Sequence, residues 1–130
     1  MRWPWRRDEP EEVKQREEGA ERIITVGKEL ESEAVGLDQV DVVRGWMREL
    51  TPDCDGQVYV HRSWGTLVAI ADGRPPVSVT FVDGEHVWYP VPLGPVSDHE
   101  PLTWDQVERV MIHALTSPER PNWLRWVRLV

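Results

Sequence analysis

Apolar residues change their spacing twice along this chain, and the three regimes predict its elements. Over residues 10 to 34, Val13, Ala20, Ile23, Ile24 and Leu30 recur at helical intervals. Pro10, behind the acids Asp8 and Glu9, suits a first helical position. Gly19 and Gly27 each weaken such a helix by about 1 kcal/mol relative to Ala, so its first half is expected to be exposed and only its second half docked. A second helix is predicted from Asp38 to Leu50, with Val40, Val43, Met47 and Leu50 on one face and Thr51-Pro52 ending it.

From Gln57 the period falls to two. The runs "QVYVHR", "TLVAIA", "VSVTFV" and "EHVWYP" are rich in β-formers and are separated by Ser63-Trp64-Gly65, by Asp72 to Pro76 and by Asp83-Gly84. A two-residue Asp83-Gly84 turn would set Val82 opposite Glu85, Phe81 opposite His86 and Val79 opposite Trp88. Val77, Val79, Phe81 and Trp88 would then share the buried face, with Ser78, Thr80 and Glu85 on the other.

Helical spacing returns with Trp104, Val107, Val110, Met111, Ala114 and Leu115, behind a Thr103-x-x-Gln106 capping box. Pro118 and Pro121 forbid continuation, and "NWLRWVRLV" reads as a closing strand with Leu124, Trp126 and Arg128 on one side. The fold expected is α+β: two N-terminal helices, a four-stranded antiparallel meander, a helix and a C-terminal strand. Residues 1–9 are expected to form a flexible Arg/Trp terminus and residues 10–130 a single domain.

Charge narrows the functions. The net charge is −8, with three Arg in residues 1 to 7, ten acids against four bases over 8 to 33, and the same ratio over 34 to 100. Such a surface repels phosphate, which disfavours nucleic acid as a partner, and it steers a basic protein inward. Cys54 is the only cysteine, so there is no internal disulfide and a cytoplasmic setting is expected. The N-terminus lacks the apolar run of a signal peptide, and no stretch approaches the roughly 20 apolar residues of a membrane span.

Candidate chemistry is sparse. Cys54 and His61 could form a thiol and base, but no orienting residue is marked. "DCDG" at 53 to 56 resembles the opening of a calcium loop, yet Trp64 falls where the bidentate Glu belongs. His61, His86, His99 and His113 lack metal-ligand spacing. The chain is therefore expected to be no enzyme and to need no cofactor or metal. Its eight Trp are the unusual feature. Trp88 and Trp104 lie on predicted core faces. Trp64, at a hairpin tip, either folds back on the sheet or meets a partner, and Trp3 and Trp5 have no predicted core to enter. With Asp53, Asp55, Asp98 and Glu100 from acidic loops, Trp3, Trp5 and Trp64 make up the expected partner-binding set.

The Asp-Gly hairpin, the following helix and the tail "ERPNWLRW" are similar to the C-terminal half of an immunity-protein family of bacterial polymorphic toxin systems. The matching positions are Arg120, Pro121, Leu124 and Trp126, and the resemblance covers residues 77 to 130. Ser117-Pro118-Glu119 stands where that family has a glycine before the Arg-Pro pair. The resemblance implies a cytoplasmic non-enzyme that binds and neutralises a toxin, here a basic one. Separately, "RWPWRR" and the charged segment after it look like small proteins of actinobacteria and their phages. That likeness implies the alternative of a phage-type structural or accessory assembly protein, and a small-molecule-binding domain is a third possibility. Oligomeric state has no signal in the sequence.

Overall fold

Residues 19–26 and 29–35 run as two strands where apolar spacing predicted the second half of a helix over 10 to 34, whose first half lies outside the described residues. The computed structural model describes residues 18–26, 28–50, 56–70 and 78–129. In order these form β1 (Gly19–Val26), β2 (Glu29–Val35), α1 (Val40–Glu49), β3 (Gly56–Arg62), β4 (Gly65–Ile70), β5 (Ser78–Asp83), β6 (His86–Pro92), α2 (Trp104–Thr116) and β7 (Leu124–Arg128). The expected fold of two N-terminal helices, a four-stranded meander, a helix and a strand is thus replaced by a seven-stranded antiparallel sheet with two helices. The class remains α+β. The reason lies in Ile23-Ile24-Thr25-Val26, whose β-branched side chains favour a pleated strand. In β2, Glu29, Glu31 and Glu33 alternate with Leu30, Ser32 and Ala34, a period of two. The predicted Arg/Trp terminus lies outside the described residues.

The strand order is β2-β1-β3-β4-β5-β6-β7, so β1 sits inside the sheet. β2 and β3 both run antiparallel to β1, and α1 carries the chain back across it. Cross-strand partners share a face, which places Ala20, Val58, Val60, Leu67, Ala69, Val79 and Phe81 on one side. The helices cover that side with Val43, Trp46 and Met47 from α1 and Val107, Val110, Met111, Ala114 and Leu115 from α2. Leu124 of β7 joins the same core. The capping box forms: Thr103 Oγ1 accepts from Gln106 N at 3.2 Å, and Thr103 N donates to Gln106 Oε1 at 2.8 Å.

The β5–β6 register differs from the expected one. Phe81 pairs with Trp88, Val82 with Val87 and Asp83 with His86, so the turn residues are Gly84 and Glu85, not Asp83 and Gly84. Gly84 has φ +64°, and no described non-glycine residue has positive φ. A two-residue hairpin with glycine first and a negative φ second belongs to the II′ pattern, so the glycine, not the Asp-Gly pair, sets the register. The shift is two residues, which keeps Val79, Phe81 and Trp88 on one face. The ladder to β5 ends at Phe81–Trp88, just before Pro90, which has no N–H to offer. No helix among the described residues is long and apolar enough to cross a membrane.

Two glycines make a paired test. A Cβ on Gly84 would meet open space, whereas on Gly65 (φ +142°) it would stand 2.3 Å from Phe81 Cε1 and 2.7 Å from the Val82 carbonyl oxygen. Gly84→Ala is expected to lower stability by about 1–2 kcal/mol through backbone conformation alone, and Gly65→Ala by about 3 kcal/mol or more through added overpacking. Urea unfolding of both variants checks the order; equal losses would refute the close Phe81 contact.

Candidate functional site

Arg62 ends β3 on the core side of the sheet, where the alternation calls for an apolar residue. Its side chain is only 11% exposed. Nε donates to Glu18 Oε2 at 2.9 Å, while one terminal nitrogen donates to the carbonyls of Ala114 and of Ser117, the latter at 2.5 Å. Those carbonyls close α2, whose free C-terminal groups and dipole favour a cation. Glu18 also accepts from Ser63 N at 2.7 Å. The Arg62 bond chiefly, and the Ser63 N–H next, hold the Glu18 carboxyl below its ordinary value of 4.5.

Beyond this clamp lies an aromatic cluster. Phe81 packs between Trp64 and Trp126, with ring centroids 5.7 and 5.6 Å away. The Arg120 guanidinium sits over three rings, 5.2 Å from Phe81, 5.5 Å from Trp88 and 5.7 Å from Trp126. Trp126 Nε1 donates to the Pro121 carbonyl at 2.9 Å. The four residues that carry the immunity-family resemblance thus have packing roles: Arg120 caps the rings, Pro121 accepts the indole bond from Trp126, and Leu124 enters the core. The indole N–H groups of Trp64 and Trp88 and one Asp83 carboxylate oxygen are buried without a partner among the described residues.

The face away from the helices carries His61, 7% exposed. Its Nδ1 lies 3.2 Å from Thr66 Oγ1 and its Nε2 3.0 Å from Glu21 Oε1. Hydroxyl, imidazole and carboxylate are in the order of a hydrolytic triad. However, all three stand on paired strands, whose backbone N–H groups are engaged in the ladder and offer no preorganised oxyanion site. The arrangement is that of a buried histidine satisfied at both nitrogens. Among the described residues, no three His, Cys, Asp or Glu gather to hold a metal.

The third feature is the acidic edge. β2 pairs only with β1 among the described residues, and every side chain from Glu29 to Ala34 is exposed. Arg22 bridges Glu33 at 2.5 Å and also binds Glu49 of α1, with its guanidinium 5.8 Å from the Trp46 ring. Glu29 and Glu31 have no ion-pair partner among the described residues. Arg22, Ile24, Glu31, Ser32 and Glu33 line a shallow depression of about 360 Å³ beside them. Asp38 is exposed, and Asp41, 99% exposed, has Arg44 at 3.7 Å as its one ion-pair partner among the described residues. A second depression, of about 450 Å³, runs between the helices and mixes both signs: Arg44, Asp105, Glu108, Arg109, Ile112 and His113.

Of the expected partner-binding residues, the three that are described, Trp64, Asp98 and Glu100, do not gather in one place. Trp64 is folded back on Phe81, under the Arg62 guanidinium at 5.8 Å. Asp98 binds Arg125 at 2.5 Å, and Glu100 is exposed on the same β6–α2 connection, at the β7 end of the sheet. Trp3, Trp5, Asp53 and Asp55 lie outside the described residues, as does Cys54. Sequence reasoning missed Arg22 and Arg62, and it singled out Arg120 only through the resemblance, not for its place over the rings. For the first two a signal existed: each is a cation at a core-facing position of a strand.

No protein-family model, curated protein or solved structure matches this chain.

Two measurements probe the clamp and the tail. Glu18 has a depressed folded-state pKa, so its contribution is complete above the ordinary value of 4.5 and is lost as pH falls through the folded value. The stability gap between the wild type and Glu18→Gln should therefore be flat above that value and close below it; a gap independent of pH would refute the Arg62 pairing. At the tail, Trp126→Phe should cost about 1 kcal/mol for the lost bond to Pro121, whereas Trp126→Ala should cost about 2–4 kcal/mol because the ring is only partly buried. Chemical denaturation of both variants separates the hydrogen bond from the packing.

Proposed function

We propose that the chain is a non-catalytic, cytoplasmic protein-binding module that receives a basic partner on its acidic side, as an immunity protein receives a toxin. The observation that carries the reading is the row of exposed carboxylates from Glu29 to Asp41, in which Glu29 and Glu31 lack any ion pair among the described residues. A like-signed cluster only partly neutralised, by Arg22 on Glu33 and Arg44 on Asp41, adds self-repulsion to the free protein, and an oppositely charged partner relieves it. The steering is fast and salt-sensitive, which suits capture of a toxin before it reaches its target. The tail resemblance supports the same reading.

The product of a neighbouring toxin gene is the first partner to test. Association measured by stopped flow should slow about tenfold or more between low and high salt, while the melting temperature of the chain barely moves. Reversing Glu29, Glu31, Asp38 and Asp41 to Lys should abolish protection of cells producing the toxin. Full protection by that variant would remove the acidic side from the mechanism.

A further inference from the structure

We infer that β2 is a strand-addition site: an extended segment of the partner, with Lys or Arg at alternate positions, pairs with its free edge and lengthens the sheet. This deepens the reading of an acidic protein-binding side and rests on it.

Among the described residues the edge is open in backbone terms. β2 is seven residues long, all seven pair with β1, and no other described backbone group bonds to it. At about 3.3 Å per residue it offers roughly 23 Å of edge, with alternate N–H and C=O groups turned outward. The side chains define the guest. Glu29, Glu31 and Glu33 pair across β1 with Val26, Ile24 and Arg22, so they point to the helix side. Leu30, 64% exposed, shares the opposite side with Ser32 and Ala34. A guest strand beside β2 places its own alternate residues abreast of the three glutamates, where opposite charges attract and like charges repel. Basic residues two apart fit on that side, and small or apolar ones fit between them.

A second copy of the chain does not fit. Two-fold antiparallel pairing of β2 with itself keeps the helix sides together, so Glu31 meets Glu31 when Glu29 meets Glu33. Shifting the register by two residues still sets glutamate against glutamate. The same pattern that admits a basic strand therefore rejects self-association.

The test uses the full chain and labelled nine-residue peptides in fluorescence anisotropy. One peptide alternates Lys with Thr and Val; a second has the same composition with its Lys residues clustered at one end. Two further versions of the first carry N-methyl groups on odd or on even backbone nitrogens. Strand addition predicts that the alternating peptide binds at least about tenfold tighter than the clustered one. It also predicts that one methylation parity abolishes binding while the other leaves it intact, because only one set of N–H groups faces β2. Glu29→Lys with Glu31→Lys should weaken binding by about tenfold or more at unchanged melting temperature. No binding at millimolar peptide, or equal binding by all four peptides, overturns the inference. If the toxin then still requires the acidic side for protection, strand addition alone is wrong. If charge reversal leaves protection complete, the protein-binding reading falls with it.

Discussion

The fold turns on one guanidinium. Arg62 is almost buried at the end of β3, and burying a charge costs several kcal/mol unless it is paired and fully hydrogen-bonded. Glu18 supplies the charge, while the Ala114 and Ser117 carbonyls supply the remaining bonds. Because those carbonyls belong to the last turn of α2 and its C-cap, the same interaction that neutralises Arg62 fixes where the helix stops above the sheet. The chain then has only 117–123 in which to return to β7. Within that span Arg120 settles on the Phe81, Trp88 and Trp126 rings, and Trp126 bonds back to Pro121. Removing the guanidinium would leave two carbonyls without this donor at once and Glu18 with only the Ser63 N–H.

The helix layer is narrower than the sheet. Seven strands about 4.8 Å apart span roughly 29 Å, whereas two helices side by side cover about 20 Å. They sit over the middle strands, and the margin they leave bare is β2, whose side chains from Glu29 to Ala34 are all exposed. A bare strand at a sheet margin has to be polar to stay soluble, and three glutamates in alternation meet that need. Arg22 links this margin to the body, bridging Glu33 of β2 to Glu49 of α1 above the Trp46 ring. The acidic edge is thus held in a defined geometry next to a rigid core, which is the condition for its charges to act together on a guest.

Much of this was readable, and the failures have physical causes. The helix at Val40–Glu49, the capped helix from Trp104 and the tail strand with Leu124 turned inward were all legible, because each combines a strong period with a stop signal. The N-terminal segment was not, because Ala20, Ile23, Ile24 and Leu30 fit a helical stripe as well as two strands do. Local spacing cannot weigh the cross-strand partners that β3 supplies. The β5–β6 register failed for a narrower reason: the Asp-Gly pair was given both turn positions, whereas Gly84 alone takes positive φ and occupies the first. Of the candidate site, the acidic character was visible in composition. Its concentration along one bare edge was not, since that depends on which strands lie outermost.

The residues that carry the family resemblance and the residues proposed to meet a partner occupy opposite ends of the sheet. Arg120, Pro121, Leu124 and Trp126 close the aromatic end beneath β7, while Glu29, Glu31 and Glu33 stand on β2, with five strands between. A packing device of this kind can be kept wherever a helix must hand over to a last strand, whatever the protein binds. The edge strand can change its charges without disturbing the core, because none of its side chains from Glu29 to Ala34 is buried. Such a chain can therefore hold one architecture while its partner-facing row is altered residue by residue.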